Sequence, residues 1–456
     1  MINKATLVMS LALILVMNFA YAVDARFDMH RAFIKVKIGH DLPTSEYIQE
    51  HKALFGGNYL VKTMNVFELE KSLKNHPSII RIERNYYAGK KALPTLSKVK
   101  NGFPSYNFSA FNDPKVGKIW SFLDGKKNGV SVNKSYMAPL NTIKEDIIVA
   151  VVDTGVDYKH EDLRSIMWKN VNEIEGNGID DDNNGYIDDI FGIDPLDDDT
   201  DPMASHSHGT HVSGTIAAKQ NNKIGIAGVA SNVKIMAIRA VPDNSDETDA
   251  DIVESFLYAA RHGARLINCS FGKSHNEGGM IVNETIDHIG TTFGTLVLAA
   301  AGNDYKRDID KKKTYPASFE TDHMIVVAST NRAGKLSSFS NVGKISVDVA
   351  APGSNIYSTI PGNSYGNMSG TSMATPTTAG VAADILSNFP GLDSISLKEI
   401  LIDTVTKIPK FDKYMVSGGR VDLFNALRHT LNNYVDIEQK QIERQLLEQR
   451  QRTQNN

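Results

Sequence analysis

Three short segments carry side chains that could do chemistry together. Val151-Val152-Asp153-Thr154-Gly155 ends an apolar run in a carboxylate, placed where a strand would give way to a turn. Ser207-His208-Gly209-Thr210-His211-Val212-Ser213-Gly214 opens a helical stretch with histidines among small residues, which let a neighbouring chain pack close. Gly366-Asn367-Met368-Ser369-Gly370-Thr371-Ser372-Met373-Ala374-Thr375-Pro376 sets Ser372 at the start of a long helix after a glycine turn. A helix start favours developing negative charge, and a serine attacking a carbonyl generates such charge. Each segment alone has a plainer reading. Asp-Thr-Gly also occurs in aspartic proteases and at strand-to-turn corners, His208 can be a surface residue of a helix start, and Ser372 or Thr371 can be an N-cap. A zinc cluster of His206, His208 and His211 lacks both the HExxH spacing and a glutamate base.

In this chain order the three segments resemble the subtilisin-like serine proteases, or subtilases, whose motifs read Asp-Thr/Ser-Gly, His-Gly-Thr-His and Gly-Thr-Ser-Met-Ala-x-Pro. The similarity runs from about Asn112 to His429. It implies a triad in which His208 takes the Ser372 hydroxyl proton and Asp153 orients the imidazole. His211 then becomes a helix-packing residue and His206 a loop residue. Leu298 to Asn303 resembles the strand-end segment that supplies an oxyanion-hole asparagine, so Asn303 would donate its amide beside the Ser372 backbone N–H. Ser270, Phe271 and Gly272 resemble the substrate-binding edge, with Ala301 and Gly302 also contacting the peptide, which would lie as an added strand. The specificity pocket is expected around Ala300 to Asp304 and Thr314 to Pro316, and Cys269 reads as a buried thiol. The related acid peptidases would need a Glu-Asp pair in place of His208 and an aspartate at Asn303, and an inert relative would be expected to have lost one of these groups.

The elements that must position these residues are legible as short apolar runs alternating with helical ones. Strands are expected at Ile147 to Val152, Val233 to Val241, Arg265 to Ser270, Thr295 to Ala300 and Met324 to Ala328, and helices near Gly209 to Lys219, Asp249 to His262 and Thr371 to Asn388. Strands apolar along their whole length are buried on both faces, hence a parallel sheet covered by helices. With the resemblance, residues 106–432 become an α/β, subtilisin-like three-layer catalytic domain, with a polar helical or disordered tail at 433–456.

The front of the chain differs. Lys4, the apolar run Ala5 to Ala20 and the small-x-small end Ala20-Tyr21-Ala22 make residues 1–22 a secretory signal peptide, too short for a span. Residues 30–88 read as a small α+β unit with strands at Ala32 to Ile38, Tyr59 to Lys62 and Ile79 to Arg84, and helices at Thr44 to Leu54 and Phe67 to Asn75. A lysine-rich linker, Gly89 to Gly102, follows. Residues 23–105 thereby resemble the family's propeptide, which templates folding and then inhibits, and self-cleavage is expected between Asn85 and Ser105. Residues 1–100 carry 15 Lys+Arg against 8 Asp+Glu, and the remainder 34 against 45, so the two parts attract. So acidic a body offers no large basic surface for nucleic acid.

With 41% hydrophobic and 22% charged residues the composition is that of a globular protein, and the single cysteine excludes an internal disulfide. Calcium is the expected substitute. Ten aspartates lie between Asp180 and Asp201. Asp180, Asp182 and Asn184 at alternate positions, Gly185 for the turn, a carbonyl at Tyr186 and Asp188 and Asp189 to close the shell follow EF-hand-like spacing, without the final glutamate. A solvated acidic loop is the plainer reading. The resemblance implies a second calcium site at Asp162 and Asn222. The whole reads as a secreted (extracellular or periplasmic), calcium-stabilised serine endopeptidase, made as an autoprocessed zymogen, acting on polypeptides as a monomer without a membrane span.

Overall fold

The computed structural model describes residues 27–88, 93–97, 105–140, 144–243, 247–273 and 279–454. The expected signal peptide and most of the lysine-rich linker lie outside the described residues. The chain divides into two units, residues 1–89 with 248–250 and 277–281, and residues 90–247, 251–276 and 282–456.

In the first unit, β1 (Phe27–Val36), β2 (Ile48–Ala53), β3 (Asn58–Thr63) and β4 (Ile79–Tyr86) form an antiparallel sheet in the order β2-β3-β1-β4. Helix α1 (Val66–Leu73) lays Val66, Leu69 and Leu73 with Ala32, Ile34 and Val61 in a core of its own. Asn65 caps α1 by accepting from the N–H groups of Phe67 and Glu68. The helix expected at Thr44 to Leu54 is instead the edge strand β2, because backbone pairing with β3 outweighs the weak helical spacing of a short polar segment.

The second unit is built on a sheet whose order, written with its later strands first, is β14-β15-β11-β10-β9-β8-β5-β7-β6. These are β5 (Ile147–Asp153), β6 (Gly192–Ile193), β7 (Val233–Arg239), β8 (Leu266–Cys269), β9 (Leu296–Ala300), β10 (Met324–Thr330), β11 (Val349–Pro352), β14 (Thr406–Lys407) and β15 (Gly419–Arg420), with the hairpin β12 (Ile356–Ile360) and β13 (Ser364–Met368) apart. Every pair is parallel except β14 with β15. Val149, Ala150, Val151 and Val152 have no exposed surface, as strands covered on both faces require. The helices are α2 (Val132–Met137), α3 (Ser207–Ala217), α4 (Asp249–Arg261), α5 (Met280–Phe293), α6 (Thr371–Asn388), α7 (Ser394–Asp403) and α8 (Leu423–Gln454). All 18 residues of α6 are buried, and it runs against β8 to β11 while α3 packs on α6 and β12. β5 lies between β7 and β8, so strand order reverses there and its C-terminal end opens a crevice.

The tail is more tied down than its composition suggests. Helix α8 kinks at Asn433, and beyond the kink the buried Gln441 accepts from Asp393 N and donates to Gly391 O. Arg444 pairs with Asp393 and Glu399. No described helix is long and apolar enough to cross a membrane.

Just before β11, burial raises the Asp348 carboxyl to about 6, while its Oδ2 accepts from Val326 N at 2.7 Å. A carboxyl raised on folding contributes stability below its unfolded value near 4, which is lost as pH rises through about 6. Asp348→Asn is therefore expected to melt above wild type at pH 8 and to converge with it below pH 4, as read by thermal denaturation across pH.

Candidate active site

Asp153 is the last residue of β5, held in register with Arg239 of β7, and is 1% exposed. His208 lies in the first turn of α3, whose N-cap is the His206 side chain. Asp153 Oδ1 and His208 Nδ1 meet at 2.7 Å, both side chains buried. The same Oδ1 accepts from Thr154 N at 2.8 Å, and Thr154 Oγ1 accepts from Gly209 N at 3.2 Å, so the strand end and helix start are stitched together. Only glycine fits at 209, since a Cβ there would lie 2.2 Å from Gly155 O. With Nδ1 committed to the carboxylate, Nε2 is the imidazole's remaining nitrogen, and it has no hydrogen bond among the described residues.

Ser372 opens α6 after Gly370 and is 4% exposed. Its Oγ donates to Ser270 O at 3.0 Å, and Ser270 Oγ donates back to Ser372 O at 3.1 Å. Ser372 Oγ thus rests on the backbone just past β8 instead of on Nε2, and in substrate-free sites of this kind catalytic hydrogen bonds often form only with substrate bound. Asn303 follows Gly302, whose φ of 100° suits glycine and turns the chain at the end of β9. Asn303 Oδ1 accepts from Thr371 N at 2.8 Å and Thr371 Oγ1 at 3.1 Å. Fixing the oxygen leaves the amide nitrogen to face outward as a donor. A cavity of about 230 Å³ lies beside Ser372, lined among others by Ser270, Phe271, Gly272, Ala300, Gly302, Asn303, Asp304 and Thr314. An acyl group could be attacked here with its oxygen held by Asn303.

A family model, the subtilase family, matches residues 144–427. The chain belongs to the subtilase family. It is 36% identical over 346 residues to the thermophilic serine proteinase of Bacillus sp. (strain AK1), covering 76% of this chain and 77% of that one. Thermitase of Thermoactinomyces vulgaris is 35% identical over 281 residues, 62% of this chain and 88% of thermitase. Subtilisin-like protease 1 of Plasmodium berghei is 34% identical over 386 residues, and this chain spans 62% of its length and matches with 79% of its own. Fervidolysin from Fervidobacterium pennivorans, a keratinolytic enzyme related to subtilisin, shares the fold with a TM-score of 0.68 at 23% identity, covering 89% of this chain and 62% of that one.

In this subtilase several expected site residues take other places. Ala301 does not border the cavity: it is fully buried, with its carbonyl accepting from Asn341 Nδ2 at 2.9 Å. Ala300 and Gly302, on either side of it, border the cleft. Asn341, which the sequence did not point to, and Thr371, expected there only as a possible N-cap, are the residues that brace Gly302, Asn303 and Asp304. Asn341 also accepts from Asp304 N and donates to Asp304 Oδ2, each at 2.9 Å. Their only signal in the sequence was a polar residue within an otherwise buried segment. His211 packs as implied, its Nε2 2.9 Å from Ile356 O and its pKa pushed down to about 3 by burial. Burial pushes the Cys269 thiol well up, which makes it an inert core group.

The acidic loop also rearranges the expected ligand set. Glu173, Asp182 and Asp189 bring one carboxylate oxygen each within 4.8 Å of one another, Glu173 and Asp189 being buried. Asn170 Nδ2 bridges Asp182 and Asp189 at 2.9 and 2.8 Å. Asp188 instead turns its carboxylate to the N–H groups of Gly176, Asn177 and Gly178. Asp180 accepts from the N–H groups of Asn184 and Gly185, shaping the turn before Tyr186, whose hydroxyl donates to Glu254. Asn184 Nδ2 donates to Asp189 Oδ2 at 3.0 Å. Converging, repelling carboxylates with only oxygen donors suit a hard cation such as calcium. Asp162 and Asn222 do meet, Asn222 Nδ2 donating to Asp162 Oδ1 at 2.8 Å, while Ile226 N and Tyr365 Oη donate to Asp162 Oδ2.

Asn303→Ala should lower kcat about 100- to 1000-fold. Thr371→Val, which removes one of the two bonds to Asn303 Oδ1, should lower kcat about tenfold with KM little changed, in steady-state kinetics on a peptide substrate. An unchanged kcat for Thr371→Val would mean that the backbone bond alone orients the amide.

Proposed function

We propose that the chain is a secreted serine endopeptidase, calcium-stabilised and made as a zymogen. The observation that carries this is the buried Asp153–His208 bond beside a helix-start serine and an oriented Asn303 amide. The names of the Bacillus and Thermoactinomyces relatives, a serine proteinase and thermitase, support peptide-bond hydrolysis as the reaction.

His208 Nε2 takes the proton as Ser372 Oγ attacks the carbonyl carbon of a peptide lying along Ser270 to Gly272. Asn303 Nδ2 and the Ser372 N–H hold the oxyanion, and Asp153 holds the imidazolium. The C–N bond breaks as Nε2 gives its proton to the leaving nitrogen, and a water then repeats the sequence in reverse to free the acyl group. Residues 23–105 act as the propeptide and inhibitor, supported by their positive balance against an acidic body. Calcium would be held by Glu173, Asp182 and Asp189 with the Asn184 amide oxygen, and a second ion by Asp162 with the Asn222 amide oxygen, once those two amides are turned. It supplies charge neutralisation and loop rigidity, not chemistry. The protein acts on polypeptides outside the membrane as a monomer.

Casein hydrolysis and intact mass, compared in wild type and Ser372→Ala, test the activity. Wild type should shorten itself and digest casein, and Ser372→Ala should do neither. Self-shortening by Ser372→Ala would transfer the activity to another group. Calcium linkage is tested separately: a chelator should lower the melting temperature of wild type by several degrees, and Glu173→Gln with Asp189→Asn should remove most of that response. A melting temperature indifferent to chelator would leave the loop a hydrogen-bonded structure alone.

A further inference from the structure

The described segment Leu93–Ser97 belongs to the same unit as the catalytic residues, and three observations place it. Ser97 N donates to Asn367 O at 2.7 Å. Pro94 Cγ lies 3.1 Å from where a Cβ on Gly370 would stand, and Leu96 Cδ2 lies 2.6 Å from the corresponding point on Gly366. Leu93 and Pro94 both line the cavity that Ser372 and Asn303 share. Two of the contacts fit one antiparallel register, Ser97 opposite Asn367 and, three residues back along one segment and forward along the other, Pro94 opposite Gly370, while Leu96 reaches diagonally to Gly366. Beyond Gly370 the chain turns into α6, and Leu93 is placed instead by the cavity it shares with Ser372. Leu93 and Pro94 thus both border the cavity of Ser372, and Pro94 to Ser97 run back along residues 367–370.

We propose that Leu93–Ser97 is an inhibitory strand held in cutting register and that Pro94 is the residue that keeps it from being cut. This rests on the serine endopeptidase reading above. Cutting there would form a bond from Ser372 Oγ to the Leu93 carbonyl carbon and break the bond to Pro94 N, which would take the proton held by His208 Nε2. In an ordinary peptide the leaving nitrogen carries a small hydrogen and can turn its lone pair to the imidazole. Proline has Cδ in that place and a ring-locked φ, so the ring crowds the approach of Nε2 and the nitrogen cannot turn to meet it. The strand keeps its backbone pairing and loses only the proton transfer. Glycines at 366 and 370 suit this role, because side chains there would collide with Leu96 and Pro94.

The test follows intact mass and N-terminal sequence of the purified full chain as wild type, Pro94→Ala and Pro94→Ala/Ser372→Ala, with casein hydrolysis measured in parallel. Pro94→Ala is expected to cut itself between residues 93 and 94 at least tenfold faster than wild type does at that bond, and the double variant not at all. Wild type with Pro94 as its N-terminus, or Pro94→Ala that digests casein yet is not cut there, overturns the proposal and leaves the protease reading standing. Absence of both casein hydrolysis and self-cleavage in wild type and Pro94→Ala removes the protease reading and the proposal with it. A synthetic peptide of residues 88–100 gives a readout independent of folding: added to casein-digesting enzyme, it should inhibit and survive, whereas the same peptide with alanine at 94 should be cut after Leu93. Rapid cutting of the proline peptide at that bond also overturns the proposal.

Discussion

A carboxylate and an imidazole buried side by side at 2.7 Å set the terms for the catalytic unit. Asp153 is taken out of water at the end of an apolar strand, and a buried charge persists only where hydrogen bonds answer it. Thr154 N and His208 Nδ1 supply them, from residues that the chain brings together across a long insertion. The two elements must then approach until Gly209 touches Gly155 O, a distance that no other residue permits. Commitment of Nδ1 also decides which nitrogen is left for chemistry. The parallel pairing of β5 with β7 and β8 holds the strand end still, so the orientation of the His208 ring follows from sheet register as well as from the helix that carries it.

The nucleophile is organised from the other side of the sheet's end by a chain of small polar contacts. Thr371 holds the oxygen of Asn303, Asn341 holds Ala301 and Asp304, and Gly302 makes the turn between them. None of these contacts is strong alone, yet together they leave Asn303 one useful direction. Preorganised dipoles of this kind need no rearrangement when charge develops, which is why they act through kcat.

Much of this was legible because strands buried on both faces are apolar throughout, and five of them could be placed to within a few residues. Asp153, His208 and Ser372, the residues proposed as a triad, could be singled out because strand ends and helix starts are where such a fold exposes side chains, and because they stand in the family motifs. What escaped has a common physical cause in tertiary contacts that leave no local pattern. β2 is an edge strand that its neighbour imposes on a polar segment. Asn341 lies far along the chain from the turn it braces. Glu173 stands outside the regular Asp-x-Asp-x-Asn spacing, and Asp188 fits that spacing yet spends its oxygens on three backbone N–H groups. Gln441 looked like one more polar tail residue, and only the groups on residues 391 and 393 make it an anchor.

Helix α6 has no exposed face at any of its 18 residues, and Ser372, the proposed nucleophile, is its second. Local fraying at a helix start is ordinarily cheap, but here the first turn is enclosed as fully as the middle. The nucleophile therefore shares the cooperative fate of the core. Heat or denaturant will not detune this site by degrees: a molecule either keeps Ser372 in place or has lost its whole sheet-and-helix core. Residual activity in a stressed population then counts intact molecules, and cleft-lining loops are free to vary in sequence without loosening the group that does the attacking.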